Sequence, residues 1–350
     1  MEFGKKLIIW YLEHKRDMPW RQTKDPYSIW LSEIILQQTR VRQGLPYYLA
    51  FKSSFPTVFD LAAASEEKVL KLWQGLGYYS RARNLHFTAQ YVVNEYNGIF
   101  PKDYNGLIKL KGIGDYTASA IASICYKEVV PVIDGNVYRV LSRIFGIETP
   151  INSSPALKEF KGLAAELIDR TSPDVFNQAI MEFGAIQCKP QSPDCTVCPF
   201  NDRCFAMQNN KVSVLPVKLK KLKIKKRYFN YIIFKLPDGK VMFQQRKNVG
   251  IWEGLYEFPL IESDKLQEAT ELQKEEAFLQ LVTEQPFSLS IYKEEPIIHK
   301  LSHQHLYTRF YIVALAKAPI LKENQYLISA ETIHEYPVPV LIGNFIESFF

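Results

Sequence analysis

The sequence predicts two domains of different class, a helical one followed by one that combines helices with a β-sheet. Apolar residues recur every three or four positions over residues 1–210, which indicates amphipathic helices. From Tyr228 onwards they follow a strand pattern, and Pro237-Asp238-Gly239 separates two such runs as in a β-hairpin. A chain of 350 residues also exceeds the usual length of one domain.

Composition narrows the class of protein. An apolar fraction of 47% and a charged fraction of 23% are typical of a soluble globular protein. No apolar run is long enough to span a membrane, and no secretory signal is present. The formal net charge of +6 is compatible with a polyanionic partner without requiring one. We therefore expect a cytoplasmic protein.

A tight turn between two helices is predicted at Gly112 and Gly114, which flank a single apolar residue. Glycine adopts positive φ without strain and leaves the backbone open to a ligand. The helix that follows offers unpaired N–H groups and the positive end of its dipole, which is a seat for phosphate. We expect Asp115 to cap this second helix. Taken alone, the pattern also fits a plain connection between helices.

Two carboxylates stand out as candidates for acid–base chemistry. Glu33 lies within the apolar helix predicted around Ile29–Leu36, where desolvation would raise its pKa and keep it protonated near neutral pH. Its alternatives are a solvent-facing position or an arginine partner. Asp134 precedes Gly135-Asn136 at a predicted helix start, where its ordinary role is an N-cap.

Four cysteines form a compact ligand set, Cys188, Cys195, Cys198 and Cys204. Three prolines between Cys188 and Cys204 predict a loop in place of a helix. Four thiolates in one short loop satisfy either one tetrahedral zinc ion or one cubane iron–sulfur cluster. Soft thiolate ligands alone do not choose between these two.

Two further segments suggest contact with nucleic acid. The turn from Trp73 to Asn84 carries Tyr78, with arginines behind it, and an aromatic side chain there suits either a wedge between bases or core packing. Residues 211–227 read as a basic linker. Its lysines suit either solvent or DNA phosphates.

The motifs, taken in order, resemble those of the adenine DNA glycosylases of the helix-hairpin-helix superfamily, and the resemblance covers essentially the whole chain. It rests on the four cysteines together with Ser32–Thr39, Gly75–Tyr79, Leu110–Gly114 and Val132–Val137.

This resemblance implies a multidomain fold. The expected parts are an all-α helix-hairpin-helix glycosylase domain with an iron–sulfur cluster loop over residues 1–210, a basic linker over 211–227, and an α+β Nudix-like domain that recognises 8-oxoguanine over 228–350. It also implies a [4Fe-4S] cluster in preference to zinc. The substrate would be double-stranded DNA with adenine opposite 8-oxoguanine or guanine.

The resemblance also assigns catalytic roles. Glu33 would protonate N7 of a flipped adenine, Asp134 would stabilise the oxocarbenium-like sugar or bond to it transiently, and Asn136 would orient Asp134. Tyr116 stands where related bifunctional enzymes carry a lysine nucleophile. Because a tyrosine forms no Schiff base, we predict base removal without strand cleavage.

Further residues match binding positions of the same family. Trp20, Arg21, Leu36 and Gln178 would line the adenine pocket. Gln38 and Tyr78 would wedge into the duplex, Thr39 and Leu76 would contact the damaged guanine, and the backbone at Gly112 and Gly114 would bind DNA phosphate.

The second domain matches the family's lesion-recognition loop at Ser302 and His303. Leu301 replaces the usual aromatic residue before the serine, which weakens the expected stacking. An exposed polar loop is the ordinary alternative. A helix is expected near Lys265 to Val282, after Gly254-Leu255-Tyr256-Glu257. It lacks the paired glutamates that hold a divalent metal in Nudix hydrolases, so we expect no pyrophosphatase activity.

Two other functions remain to be weighed. A thymine mismatch glycosylase of the same superfamily also carries tyrosine at the Tyr116 position, but the full second domain argues against it. A non-catalytic mismatch-binding or redox-sensing iron–sulfur protein would not need both Glu33 and Asp134. We expect a monomer, with a sliding clamp as a candidate partner.

Overall fold

The computed structural model describes residues 2–219, 224–282 and 285–350. It divides into two compact units, Met1–Ala63 with Asn84–Lys220 and Ala64–Arg83 with Lys221–Phe350. Residues 64–83 thus pack with the second unit, although the sequence suggested the first. Residues 220–223 of the predicted basic linker lie outside the described residues.

The described residues up to 219 are helical and contain no strand. None of the helices in the described ranges combines the length and apolar character needed to cross a membrane. In chain order the helices are α1 (Glu2–His14), α2 (Pro26–Leu36), α3 (Val41–Ser54), α4 (Val58–Ala63), α5 (Glu66–Trp73), α6 (Ser80–Tyr96), α7 (Tyr104–Leu107), α8 (Asp115–Tyr126), α9 (Gly135–Phe145), α10 (Ala156–Leu167), α11 (Pro173–Glu182) and α12 (Phe205–Gln208).

Helix α8 is the centre of the first unit. Its residues 117–124 are all buried, and α2, α7 and α11 pack against it. Alanine and serine occupy most of these positions, so that neighbouring helices can approach closely. Helix α2 is also buried over most of its length, and Asp25 starts it by accepting a hydrogen bond from the Ser28 backbone N–H.

The predicted hairpin joins α7 to α8. Gly112 has φ of +79°, and a Cβ atom there would lie 2.8 Å from Cβ of Asn84, so both conformation and space require glycine. Thr88 fixes the turn by donating to the Lys111 carbonyl oxygen at 2.6 Å. The prediction that Asp115 caps α8 is wrong, because Gly114 occupies the N-cap position.

Asp115 has other partners in place of the helix terminus. Its carboxylate accepts a hydrogen bond from the Tyr104 hydroxyl at 2.7 Å and pairs with Lys161. These contacts join α7, α8 and α10. The Asp115 side chain therefore stabilises the hairpin by linking it to the neighbouring helix.

The second unit contains one mixed sheet. Its strands are β1 (Lys225–Lys235), β2 (Lys240–Gln245), β3 (Tyr256–Glu257), β4 (Leu260–Ser263), β5 (Phe287–Ile291), β6 (Ile297–Lys300), β7 (Gln304–Leu315) and β8 (Gln325–Ser329). The principal order is β3-β2-β1-β7-β5, and β4, β6 and β8 pair with β1, β7 and β2. Only β1 and β7 run parallel among the described pairs.

Three helices accompany the described strands, α13 (Ala269–Leu272), α14 (Glu276–Val282) and α15 (Val340–Phe349). The first two contribute to an apolar core with β1 and β7. The prediction of one helix from Lys265 to Val282 is wrong. A capping box formed by Glu268 and Glu271 starts α13 later, and the chain turns again before α14 begins.

Candidate functional site

A cavity of about 200 Å³ in the first unit brings together both candidate carboxylates and several other residues selected from the sequence. It is bounded by α2, the start of α8, the start of α9, α11 and the short 3-10 turn Pro19–Arg21. Nine predicted residues line it, namely Trp20, Arg21, Glu33, Leu36, Thr39, Tyr116, Asp134, Asn136 and Gln178. Elements far apart in sequence therefore converge on one small space.

Glu33 has the properties of an acid that is protonated near neutral pH. Desolvation raises its pKa to about 7, and the nearby Asp134 carboxylate adds to the rise. A hydrogen bond with the Tyr116 hydroxyl opposes part of this shift. Burial raises the pKa of Tyr116 well above its usual value, so that this hydroxyl stays neutral. The Tyr116 hydroxyl also lies 3.1 Å from the Met181 sulfur.

Asp134 lies in a different environment, although it faces the same cavity. It caps α9, where its carboxylate accepts from the backbone N–H groups of Asn136 and Val137 at 2.9 and 2.8 Å and from Asn136 Nδ2 at 2.7 Å. Desolvation raises its pKa, but these hydrogen bonds and the helix N-terminus favour the anion. Of the two carboxyl groups, Glu33 is therefore the one that holds a proton.

The chain that leads to Asp134 is held by a buried amide. Asn177 accepts from the Val132 backbone N–H at 3.1 Å and donates to the Val130 carbonyl oxygen at 2.8 Å and to Ser123 Oγ at 2.9 Å. Its side chain is fully buried between α8 and α11. These bonds fix the extended segment before the cap, and with it the position of the Asp134 carboxylate.

One side of the cavity is an ion-pair cluster that sequence reasoning missed. Arg16 and Arg21 both bind the buried Glu182 carboxylate, each with a contact of 2.7 Å. Burial opposes ionisation of Glu182, but the hydrogen bonds from the two arginines hold its pKa at about 2. The sequence offered one signal for Glu182: it lies four residues after Gln178 on α11, so the two side chains project from the same side of the helix.

Gln178 is oriented by a neighbour that the sequence did not single out. Tyr11 donates from its hydroxyl to Gln178 Oε1 at 3.3 Å, and its ring lies 5.7 Å from the Arg21 guanidinium. The Gln178 amide NH₂ donates to the Asp174 carbonyl oxygen at 3.2 Å.

The four predicted cysteine ligands line a second, smaller cavity of the first unit. Arg143 holds this loop by donating to the carbonyl oxygens of Lys189 and Pro190 at 2.7 and 3.0 Å. Arg139 donates to the Cys188 carbonyl oxygen at 2.7 Å and to Asn136 Oδ1 at 2.8 Å. Helix α9 therefore connects the cysteine loop to the Asp134 cap.

The arrangement of these thiols bears on what they hold. A cubane binds one thiolate at each iron corner, so its ligands surround a volume and do not meet at a point. Four cysteines around one cavity fit such a group.

A third cavity, of about 610 Å³, lies within the second unit. Tyr78 lines it together with Ser302 and His303, so the turn after α5 and the loop between β6 and β7 face the same space. Trp252 forms part of its wall with φ of +63°, a conformation that bulky residues rarely adopt.

The turn that carries Tyr78 is anchored by its own unit. Tyr79 donates to the Val338 carbonyl oxygen at 3.3 Å, and Arg83 pairs with Glu253 at 2.9 Å. Trp73 and Arg81 donate to the Gly77 carbonyl oxygen at 3.0 and 3.1 Å. This network explains why residues 64–83 pack with the second unit.

The remaining predicted binding residues are less clearly grouped. Thr39 lines the first cavity beside Leu36, whereas it was expected with Leu76 against the damaged guanine. Leu76 is buried and lines none of the three cavities. Gln38 follows α2 with φ of +56°. Gly112 and Gly114 form the hairpin as predicted.

Comparison with known proteins defines the class of this fold and site. Residues 31–166 match the HhH-GPD superfamily of base excision DNA repair proteins, and residues 230–348 match the NUDIX domain. A solved structure of a thermostable thymine-DNA glycosylase is similar, with a TM-score of 0.55 and 28% identity over 59% of this chain and 96% of that one. The chain is therefore a helix-hairpin-helix DNA glycosylase joined to a Nudix-like domain.

Two relatives define the family more closely. An adenine DNA glycosylase of Buchnera aphidicola subsp. Baizongia pistaciae is 34% identical over 93% of this chain and 90% of its own length. An adenine DNA glycosylase of Arabidopsis thaliana is 37% identical over 73% of this chain, which spans 46% of that longer protein. The chain belongs to the adenine DNA glycosylase family.

Proposed function

We propose that this protein removes adenine from double-stranded DNA where adenine lies opposite 8-oxoguanine or guanine. The observation that carries the proposal is the pair of carboxyl groups in one cavity, with Glu33 protonated near pH 7 and Asp134 held by three hydrogen bonds. N-glycosidic cleavage requires both an acid for the leaving base and an anion for the developing sugar cation.

The reaction follows from these two environments. A flipped adenine enters the cavity of the first unit, and the Glu33 carboxyl transfers its proton to N7 of the base. The C1′–N9 bond breaks and its electron pair leaves with adenine, while the Asp134 carboxylate stabilises the positive charge on the sugar. Water then adds to C1′, and its proton returns to Glu33. The products are free adenine and an abasic site.

Three neighbours support this step. The Tyr116 hydroxyl orients the Glu33 carboxyl, and because Tyr116 is not an amine it forms no Schiff base, so the strand stays intact. Asn136 fixes the Asp134 carboxylate through its side-chain amide. Arg21 is held at the side of the cavity by its ion pair with Glu182.

The cavity of the second unit is the proposed site for the damaged guanine. Ser302 and His303 supply hydrogen-bonding groups, and Tyr78 supplies the wedge. Gln38 and Leu76 would complete the contacts with the duplex, and the hairpin at Gly112 and Gly114 would bind its backbone.

The cysteine loop is the proposed site of a [4Fe-4S] cluster, held by Cys188, Cys195, Cys198 and Cys204. Its iron–thiolate bonds would fix the loop that Arg139 and Arg143 connect to α9. A sliding clamp as partner, the monomeric state and a cytoplasmic location stay predictions.

The test is single-turnover base release from duplexes that hold adenine opposite 8-oxoguanine, guanine or cytosine, and thymine opposite guanine. We expect adenine release, fastest opposite 8-oxoguanine, and no strand break before alkaline treatment. Release of thymine would assign the protein to the thymine mismatch glycosylases. Tight binding without release of any base would overturn the catalytic assignment.

A further inference from the structure

The lesion-recognition loop lies at the edge of a basic surface that includes Lys300, which also lines the cavity proposed for the damaged guanine. It connects β6 to β7 through a tight turn closed by the hydrogen bond from the Leu301 N–H to the Gln304 carbonyl oxygen at 2.8 Å. Strand β1 begins beside this turn, where the Lys225 N–H donates to the His303 carbonyl oxygen at 3.2 Å. The first residues of β1 thus flank Ser302 and His303.

Strand register places five side chains of this region on one face of the sheet. Lys226 and Tyr228 on β1 pair with His305 and Tyr307 on β7, and Lys300 on β6 pairs with His305 from the other side. Opposite residues of paired strands project to the same face. The face therefore combines two lysines, a histidine and two tyrosines.

Contacts within this face confirm the common orientation. The rings of Tyr228 and Tyr307 lie 5.3 Å apart, and the Lys226 ammonium lies 5.8 Å from the centre of the Tyr307 ring. Lys226 and Lys300 are exposed, and the three other side chains are half-buried. We call these five residues the strand-end patch.

The strand-end patch is open because the core of the sheet ends before it. Further along the same face, Ile232 and Tyr311 belong to the apolar core that contains α13 and α14 residues. Arg227, the residue next to Lys226, binds Glu262 at 2.6 Å. Among the described ion pairs, neither Lys226 nor Lys300 has a carboxylate partner. Two lysines therefore remain available to an anion.

We propose that the strand-end patch binds the DNA sugar–phosphate backbone beside the lesion, with Lys226 and Lys300 on successive phosphates. Exposed lysines next to tyrosines match nucleic-acid backbone contact, in which the ammonium groups displace counterions and the hydroxyls donate to phosphate oxygens. A protein partner would need an apolar centre, whereas the patch itself consists of two lysines, a histidine and two tyrosines; Ile224 and Ile298 are strongly exposed apolar side chains beside it.

The location favours the phosphates of the lesion strand. Adjacent strands of a sheet lie about 4.8 Å apart, so the patch is one or two strand widths from Ser302 and His303. This inference rests on the proposed function for the position of the lesion, but its chemistry concerns only the charged backbone. Contacts of this kind position the duplex and carry no base information.

The test is the salt dependence of binding. The full-length protein is titrated with a duplex that holds 8-oxoguanine opposite a stable abasic analogue, which cannot be turned over. The variant carries Lys226→Ala with Lys300→Ala. The matched control carries Lys235→Ala with Lys317→Ala, which removes one exposed lysine at the end of β1 and one just after β7. The control and the variant therefore have the same net charge.

Loss of two phosphate contacts should lower the slope of log K against log salt by about 2, since each contact contributes about 0.9. We expect the variant to bind the duplex about tenfold more weakly than the unsubstituted protein near 0.1 M salt. The same factor should apply to duplexes with guanine in place of 8-oxoguanine. The control should match the unsubstituted protein.

An unchanged slope in the Lys226 and Lys300 variant, or an equal decrease in the control, would overturn the proposal. Lys226→Gln with Lys300→Gln retains a long, uncharged polar side chain and provides the same measurement if the alanine variant does not fold. If the unsubstituted protein releases no adenine, the proposed function fails, while the comparison of slopes still decides whether the patch binds DNA.

Discussion

The acid role of Glu33 predicts a specific pH dependence. With a pKa of about 7, the carboxyl is about 90% protonated at pH 6 and about 10% protonated at pH 8. A glutamate with the ordinary pKa of 4.5 would be protonated to only about 0.3% at pH 7. The protonated fraction of Glu33 at pH 7 is therefore about 150-fold larger than that of an ordinary glutamate, chiefly because of desolvation in the cavity. This ratio corresponds to about 3 kcal/mol.

The assay is the single-turnover rate constant for adenine release between pH 6 and pH 9, at protein concentrations that saturate the duplex. We expect a plateau at low pH and a tenfold decrease per pH unit above about pH 8. Tyr116→Phe removes a hydrogen bond that lowers the Glu33 pKa, so its midpoint should move to higher pH. A rate constant that stays flat from pH 6 to pH 9 would refute the acid role.

Three further predictions concern the surroundings of the site. Glu182→Gln should lower the free energy of unfolding by about 3 kcal/mol in chemical denaturation, because it breaks a buried ion pair. In the unsubstituted protein, the stability that this pair contributes should be present above pH 4.5 and lost as the pH falls towards 2. Gly112→Ala should lower the free energy of unfolding by at least about 1 kcal/mol and weaken duplex binding, whereas Gly114→Ala, with open space at Cβ, should leave the free energy of unfolding nearly unchanged. Cys198→Ser should lower the iron content and the thermal midpoint, whereas Cys125→Ser should leave the iron content unchanged; similar iron in both variants would exclude the proposed ligand set.

Much of this architecture could be predicted from local sequence signals. The periodicity of α2 and α8 indicated buried helices, and the spacing around Gly112 indicated the hairpin, because these patterns depend on residues close together in the chain. The strands β1 and β2 followed from two apolar, strand-like runs on either side of a turn signal. The grouping of Glu33 with Asp134 required the family resemblance.

Features that depend on long-range packing were not predictable in the same way. Glu182 meets Arg16 and Arg21 across more than 160 residues, and no local pattern specifies such a pair. Asp115 was expected at a cap, but Tyr104 and Lys161 bind its side chain. The placement of residues 64–83 with the second unit depends on contacts such as Tyr79 with Val338.

The most direct test of the account compares Glu33→Gln, Asp134→Asn and the double variant in single-turnover adenine release opposite 8-oxoguanine. If the two carboxyl groups act on one transition state, each single change should abolish most of the rate, and the double variant should be little slower than the slower single variant. Binding to the duplex should persist in all three. Near-normal release in either single variant, or losses that multiply fully in the double variant, would contradict a shared catalytic site.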